Sequence, residues 1–106
     1  MSVKHEELLR RAREIASSHL EGAGVRVFLI GSHATGTAYE LSDIDIAVET
    51  RAGASLPPGL LARLREAFEE STIPCRVDVV DLDDADDAFK RRVHETGVEW
   101  TVSANA

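Results

Sequence analysis

The chain has 106 residues, 43% of them hydrophobic and 29% charged, and carries a formal net charge of −7. That length allows one domain, residues 1–106, with a real core but no second domain to grip a substrate. The acidic balance argues against a duplex nucleic-acid surface, because such affinity comes from Lys and Arg neutralising phosphates. Any phosphorylated substrate would have to be met by metal ions and backbone amides. No apolar run approaches the roughly 20 residues that span a bilayer. Charged residues from Lys4 to Arg11 occupy the place where a signal peptide needs an apolar stretch. A cytoplasmic protein without a membrane segment is the expectation. The single cysteine, Cys75, excludes an internal disulfide and a Cys-rich metal site, and reads as a small apolar residue entering a strand.

In chain order, Leu8, Leu9, Ala12, Ile15, Ala16 and Leu20 recur at three- and four-residue steps among charges, which predicts an amphipathic helix over residues 3–21, ended by Gly22 and Gly24. Val25 to Ile30 is a β-rich run that stops at Gly31, and His33 to Thr37 is short enough for one helical turn. The chain then returns through Tyr39 and Glu40 to a second strand, in which Ile44, Ile46 and Val48 alternate with other residues. Arg51 to Gly59, with Gly53, Pro57 and Pro58, is the clearest loop. Leu60, Leu61, Leu64, Ala67 and Phe68 mark the next helix, and Pro74 the next boundary. Arg76 to Leu82 reads as a strand, Ala85, Ala88, Phe89 and Val93 as a short helix, and Val98 to Val102 as a last strand. The order αβ(α)βαβαβ predicts an α/β fold with a small mixed sheet and helices packed on one face. The acidic cluster Asp81, Asp83, Asp84, Asp86 and Asp87 reads as N-capping and favourable charge at a helix start.

Asp43 and Asp45 lie two apart on the predicted second strand, so both side chains should leave one face about 7 Å apart. Aspartate is depleted in strands, and two such carboxylates repel unless a cation lies between them. A solvent-facing strand end would also explain the pair. Asp78 adds a third carboxylate inside Arg76-Val77-Asp78-Val79-Val80-Asp81, a run otherwise fit for a central strand, while Asp81, three residues on, should point to the opposite face. If the two strands pair, three carboxylates converge and can hold one or two magnesium ions, the two-metal arrangement for in-line phosphoryl or nucleotidyl transfer. Gly31-Ser32 supplies a close backbone approach and a hydroxyl donor for a phosphate. Gly-Ser, ten residues, then Asp-x-Asp should arise by chance in such a chain on the order of once in a thousand.

The segments Gly31-Ser32-His33-Ala34-Thr35-Gly36 and Ser42-Asp43-Ile44-Asp45-Ile46-Ala47-Val48 resemble the signature of the polymerase beta-like nucleotidyltransferase superfamily, in its minimal stand-alone branch. The resemblance continues through Val77 to Leu82 and Phe89 to Val98, covering most of the chain. It implies the nucleotidyltransferase fold, metal binding by Asp43, Asp45 and Asp78, and a triphosphate at Gly31 and Ser32. It further implies Mg2+, ATP as substrate, and transfer of AMP to an acceptor hydroxyl. Minimal members are commonly paired with a helical HEPN-domain toxin, which implies an antitoxin that adenylylates its partner, with a tyrosine as the expected target and homo- or hetero-oligomeric assembly left open. A small-molecule nucleotidyltransferase of the antibiotic-modifying type, or a binding module acting by contact alone, are the rival readings. The chain departs from the pattern at His33 and Thr35, where relatives often carry arginines. His33 reads as an ordinary loop residue or as a stand-in for one phosphate contact. His5, His19 and His94 read as surface residues, and Tyr39 and Trp100 as packing residues or base-stacking platforms.

Overall fold

The computed structural model describes residues 3–39, 42–51 and 54–100; Glu40, Gly53 and the last two residues of the expected final strand, Thr101 and Val102, lie outside them. Helix α1 (Val3–Leu20) is followed by β1 (Val25–Ile30), a one-turn α2 (Ser32–Thr35), β2 (Ile44–Thr50), α3 (Leu60–Glu69) and β3 (Val77–Asp81). A 3₁₀ turn (Leu82–Asp84), α4 (Asp87–Thr96) and β4 (Val98–Trp100) complete the order. The four strands form one mixed sheet in the order β3-β2-β1-β4. β1 is antiparallel to both β2 and β4, whereas β2 and β3 run parallel, with α3 as the crossover that a parallel pair requires.

Strand alternation divides the side chains between the two faces of this sheet. Val27, Leu29, Ile44, Ile46, Val48 and Val79 face α1 and α3, which bury Leu8, Ala12, Ala16 and Leu20, and Leu60, Leu61, Leu64 and Phe68 against them. Ala12 and Ala16 are wholly buried, and their small side chains let α1 sit close to the strands. This is the expected helix-covered face. The expectation of helices on one face only needs correction, because α4 covers part of the other, where Val93 and Phe89 pack on Phe28, Ala47 and Val80. The reason lies in the second strand face: Phe28 and Ala47 are apolar, so they too require cover, and a ten-residue helix bearing Phe89 and Val93 supplies it.

The acidic cluster acts as helix starts do: Asp81 accepts from the Asp83 N–H at 3.0 Å, and Asp86 from the Phe89 N–H at 2.8 Å. Asp83 reaches back to β2, accepting from the Thr50 hydroxyl at 2.9 Å. Trp100 is buried as packing requires, but Tyr39 is 83% exposed, so the packing role expected of it does not hold. No described helix is long and apolar enough to cross a membrane.

Candidate active site

On the face carrying α4, the pairing lines up three rows across the strands. Ile30, Asp45 and Asp78 form the first, Phe28, Ala47 and Val80 the second, and Arg26 with Glu49 the third. The apolar middle row is covered by α4. The first row lies at the C-terminal end of β1, with Asp45 and Asp78 both half-buried. Asp45 and Asp78 are register partners on parallel neighbours, so their carboxylates stand side by side. Removal from water pushes the Asp45 carboxyl above its ordinary value. The adjacent Asp78 charge, a hydrogen bond to Asp78 and the more distant Asp43 add to this, while His33 acts in the opposite sense.

Gly31 lies close against the Asp45 side chain. Its φ of 74° lies in the left-handed region, and a Cβ there would meet Asp45 Oδ2 at 2.6 Å. Only glycine gives both the turn and the space for that carboxylate. The α2 turn then begins at Ser32, with the Ala34 and Thr35 N–H groups both accepted by the Gly31 carbonyl. The amides of Ser32 and His33 therefore precede the helical ladder, where N–H groups have no intrahelical acceptor.

β2 begins at Ile44, so Asp43 is an exposed residue just ahead of the strand, close enough to influence Asp45 by charge. Among the described residues no three His, Cys, Asp or Glu side chains are already gathered to hold an ion. The donor set nonetheless fits magnesium, which keeps several waters and is bound through one or two carboxylates together with substrate phosphates. Two carboxylates held side by side at an open strand end, over a glycine cradle, make such a half-site.

Two neighbours of the site escaped the reading of the sequence. His33 Nε2 lies 3.0 Å from the Ser42 carbonyl, and its ring meets that of His5 edge-on at a 5.3 Å centroid separation. His5 Nε2 in turn lies 2.7 Å from the Tyr39 carbonyl. Two imidazoles from α1 and α2 thus meet each other and the carbonyls of Tyr39 and Ser42. Nothing local in the sequence joins His5 to His33. Arg76 is the second: its Nε donates to Asp78 Oδ1 at 2.8 Å. Here the signal was present, because residues two apart on a strand share a face. Asp81, by contrast, is occupied with capping Asp83 and stands outside the first row.

The chain is similar to known proteins in sequence and in fold. The family model described as polymerase beta, nucleotidyltransferase matches residues 13–100. A Haemophilus influenzae (strain Rd) protein assigned as the protein adenylyltransferase MntA is 35% identical over 74 residues, which are 68% of this chain and 61% of that protein. The chain thus spans about three fifths of that relative's length. A solved toxin-antitoxin structure with AMP-PNP superposes with a TM-score of 0.64 at 26% identity, covering 86% of this chain and 73% of its own. A structure assigned to the minimal nucleotidyltransferases gives 0.62 at 30% identity, covering 89% of this chain and 93% of that one.

Proposed function

The chain belongs to the polymerase beta nucleotidyltransferase family, and from that premise we propose that it transfers AMP from ATP to a hydroxyl of a partner toxin, acting as the antitoxin of the pair. The observation that carries this reading is the side-by-side placement of Asp45 and Asp78 above Gly31. The H. influenzae relative's assignment as a protein adenylyltransferase and the toxin-antitoxin structure with AMP-PNP support the direction of transfer and the kind of partner.

A magnesium ion held by Asp45 and Asp78, with Asp43 at the rim, would neutralise triphosphate charge and assist loss of the acceptor's proton; the family chemistry provides for two such ions. Gly31 lets the backbone approach the triphosphate, and the Ser32 hydroxyl and the amides that open α2 donate to its oxygens. The His5–His33 tie holds the segment before Asp43 in place during this. The acceptor oxygen forms its bond to the α-phosphorus as the bond to pyrophosphate breaks. The site is open at a strand end, so a side chain presented by a docked partner gains its orientation from that interface. We take the partner to be a helical HEPN-domain protein and the acceptor a tyrosine.

Intact-mass spectrometry of the partner, after incubation with the protein, ATP and Mg2+, tests this reading. The partner should gain the mass of one or more AMP groups with the wild type and none with Asp45→Asn. A partner neutralised equally by both, without gain of mass, would replace transfer by inhibition through contact alone.

A further inference from the structure

Two adjoining carboxylates at the first row need a counter-charge, and in the protein without an ion the nearest one is a side chain. Arg76 lies just ahead of β3, two residues before Asp78, and its Nε donates to Asp78 Oδ1 at 2.8 Å. The backbone of Arg76 is pinned, since its carbonyl accepts from the Ile44 N–H at 2.9 Å. The side chain, however, is 74% exposed and can swing away. Arg65, the other arginine on this flank, is committed elsewhere, donating to the Val79 carbonyl at 2.9 Å. Both arginines line a cavity of about 370 Å³ between α3 and β3, with Phe68, Cys75, Val77 and Asp78.

We propose that Arg76 is a positioning residue, which serves as the counter-ion of the Asp45–Asp78 pair in the ion-free protein and is displaced when a divalent cation binds. This inference rests on the proposed reading of the pair as a cation site. The reason is electrostatic: a guanidinium and a divalent cation repel each other and compete for the same Asp78 oxygen. Arg76 therefore holds the carboxylate in place and weakens binding of the bare cation by the strength of its own ion pair. Once displaced, its guanidinium stands at the mouth of the flanking cavity.

Calorimetric titration with Mn2+ alone, without nucleotide, provides the test. Arg76→Gln should bind Mn2+ roughly two- to five-fold more tightly than wild type, the factor that an exposed ion pair of ordinary strength represents. Arg76→Lys should fall between the two. Arg65→Gln, which removes a nearby charge without touching the pair, should change Mn2+ affinity less than Arg76→Gln. Unchanged or weaker binding in Arg76→Gln, or an equal gain in Arg65→Gln, would overturn the proposal while leaving the cation site standing. Absence of Mn2+ binding in wild type and variants alike would overturn both.

Discussion

The α4-bearing face of the sheet has two polar ends, separated by one apolar row, and they are built on opposite electrostatic plans. At the far end Arg26 stands between Glu49 and Glu99, and His94 lies beside Glu49. Arg26 Nη2 donates to Glu99 at 3.0 Å, His94 Nε2 lies 2.9 Å from Glu49, and the guanidinium of Arg26 also covers the Phe28 ring at 5.0 Å. At the near end Asp45 and Asp78 present like charges to each other, with Asp43 adding to them and the exposed head of Arg76 paired to Asp78. The same strands carry both ends, so backbone geometry cannot account for the difference. One end is arranged to hold itself together and the other is left short of positive charge, which is the condition for recruiting a cation and a phosphorylated ligand.

The largest expected effect breaks the near end. Asp45→Asn should reduce AMP transfer about 10²- to 10³-fold, the scale on which loss of one preorganised electrostatic partner acts. The same substitution should raise the melting temperature of the protein without metal, because it removes a like-charge contact. Transfer assays and thermal melts on one preparation check the pair of outcomes. A variant that loses activity and also melts lower would show that Asp45 is structural.

Gly31→Ala should act on the same end through the backbone. A side chain at φ 74° is strained, and its Cβ would displace the Asp45 carboxylate. The expected cost is about 1–2 kcal/mol of stability, with weakened Mn2+ binding. Denaturant unfolding and metal titration measure the two effects separately. By comparison Gly36→Ala has open space around its Cβ, although its φ of 78° carries the same backbone strain. It should cost stability without moving the carboxylate pair.

The smallest effect sharpens the contrast between the ends, because they should titrate in opposite senses. The hydrogen bond from Arg26 holds the Glu99 carboxyl below its ordinary value. Its contribution is present above that ordinary value and is lost as pH falls through the lowered one. Burial and Asp78 raise Asp45. Its contribution is present below the ordinary aspartate value and is lost as pH rises through the raised one. In metal-free melts across pH 3–7, roughly the carboxylate range, Glu99→Gln should flatten the rise of stability with pH. Asp45→Asn should instead steepen it. Curves that shift in the same direction would remove the distinction drawn here.

Much of this architecture was legible in the residues, and the missing parts share a physical cause. The four-residue spacing of Leu8, Ala12, Ala16 and Leu20 and the alternation of Ile44, Ile46 and Val48 are local signals, and both elements form as the patterns require. The placement of Asp78 beside Asp45 followed only once β2 and β3 were assumed to pair, since register is a property of two strands. The start of β2 at Ile44, one residue past Asp43, was obscured because Ser42 and Asp43 suit a turn and a strand end equally. The second helix layer was hidden in the other strand face, where Phe28 and Ala47 alternate with Arg26, Asp45 and Glu49. The His5–His33 contact and the Glu49–His94 pair link positions far apart in the chain. No spacing rule reaches them.

The central claim is that the near end recruits a cation through Asp45 and Asp78, and a crystal structure with Mn2+ and a non-hydrolysable ATP analogue tests it most directly. Anomalous scattering should place manganese between the Asp45 and Asp78 carboxylates, with the triphosphate over Gly31 and Ser32. Manganese bound instead at the Asp81 to Asp87 cluster, or a nucleotide seated away from Gly31 with no metal between Asp45 and Asp78, would contradict it.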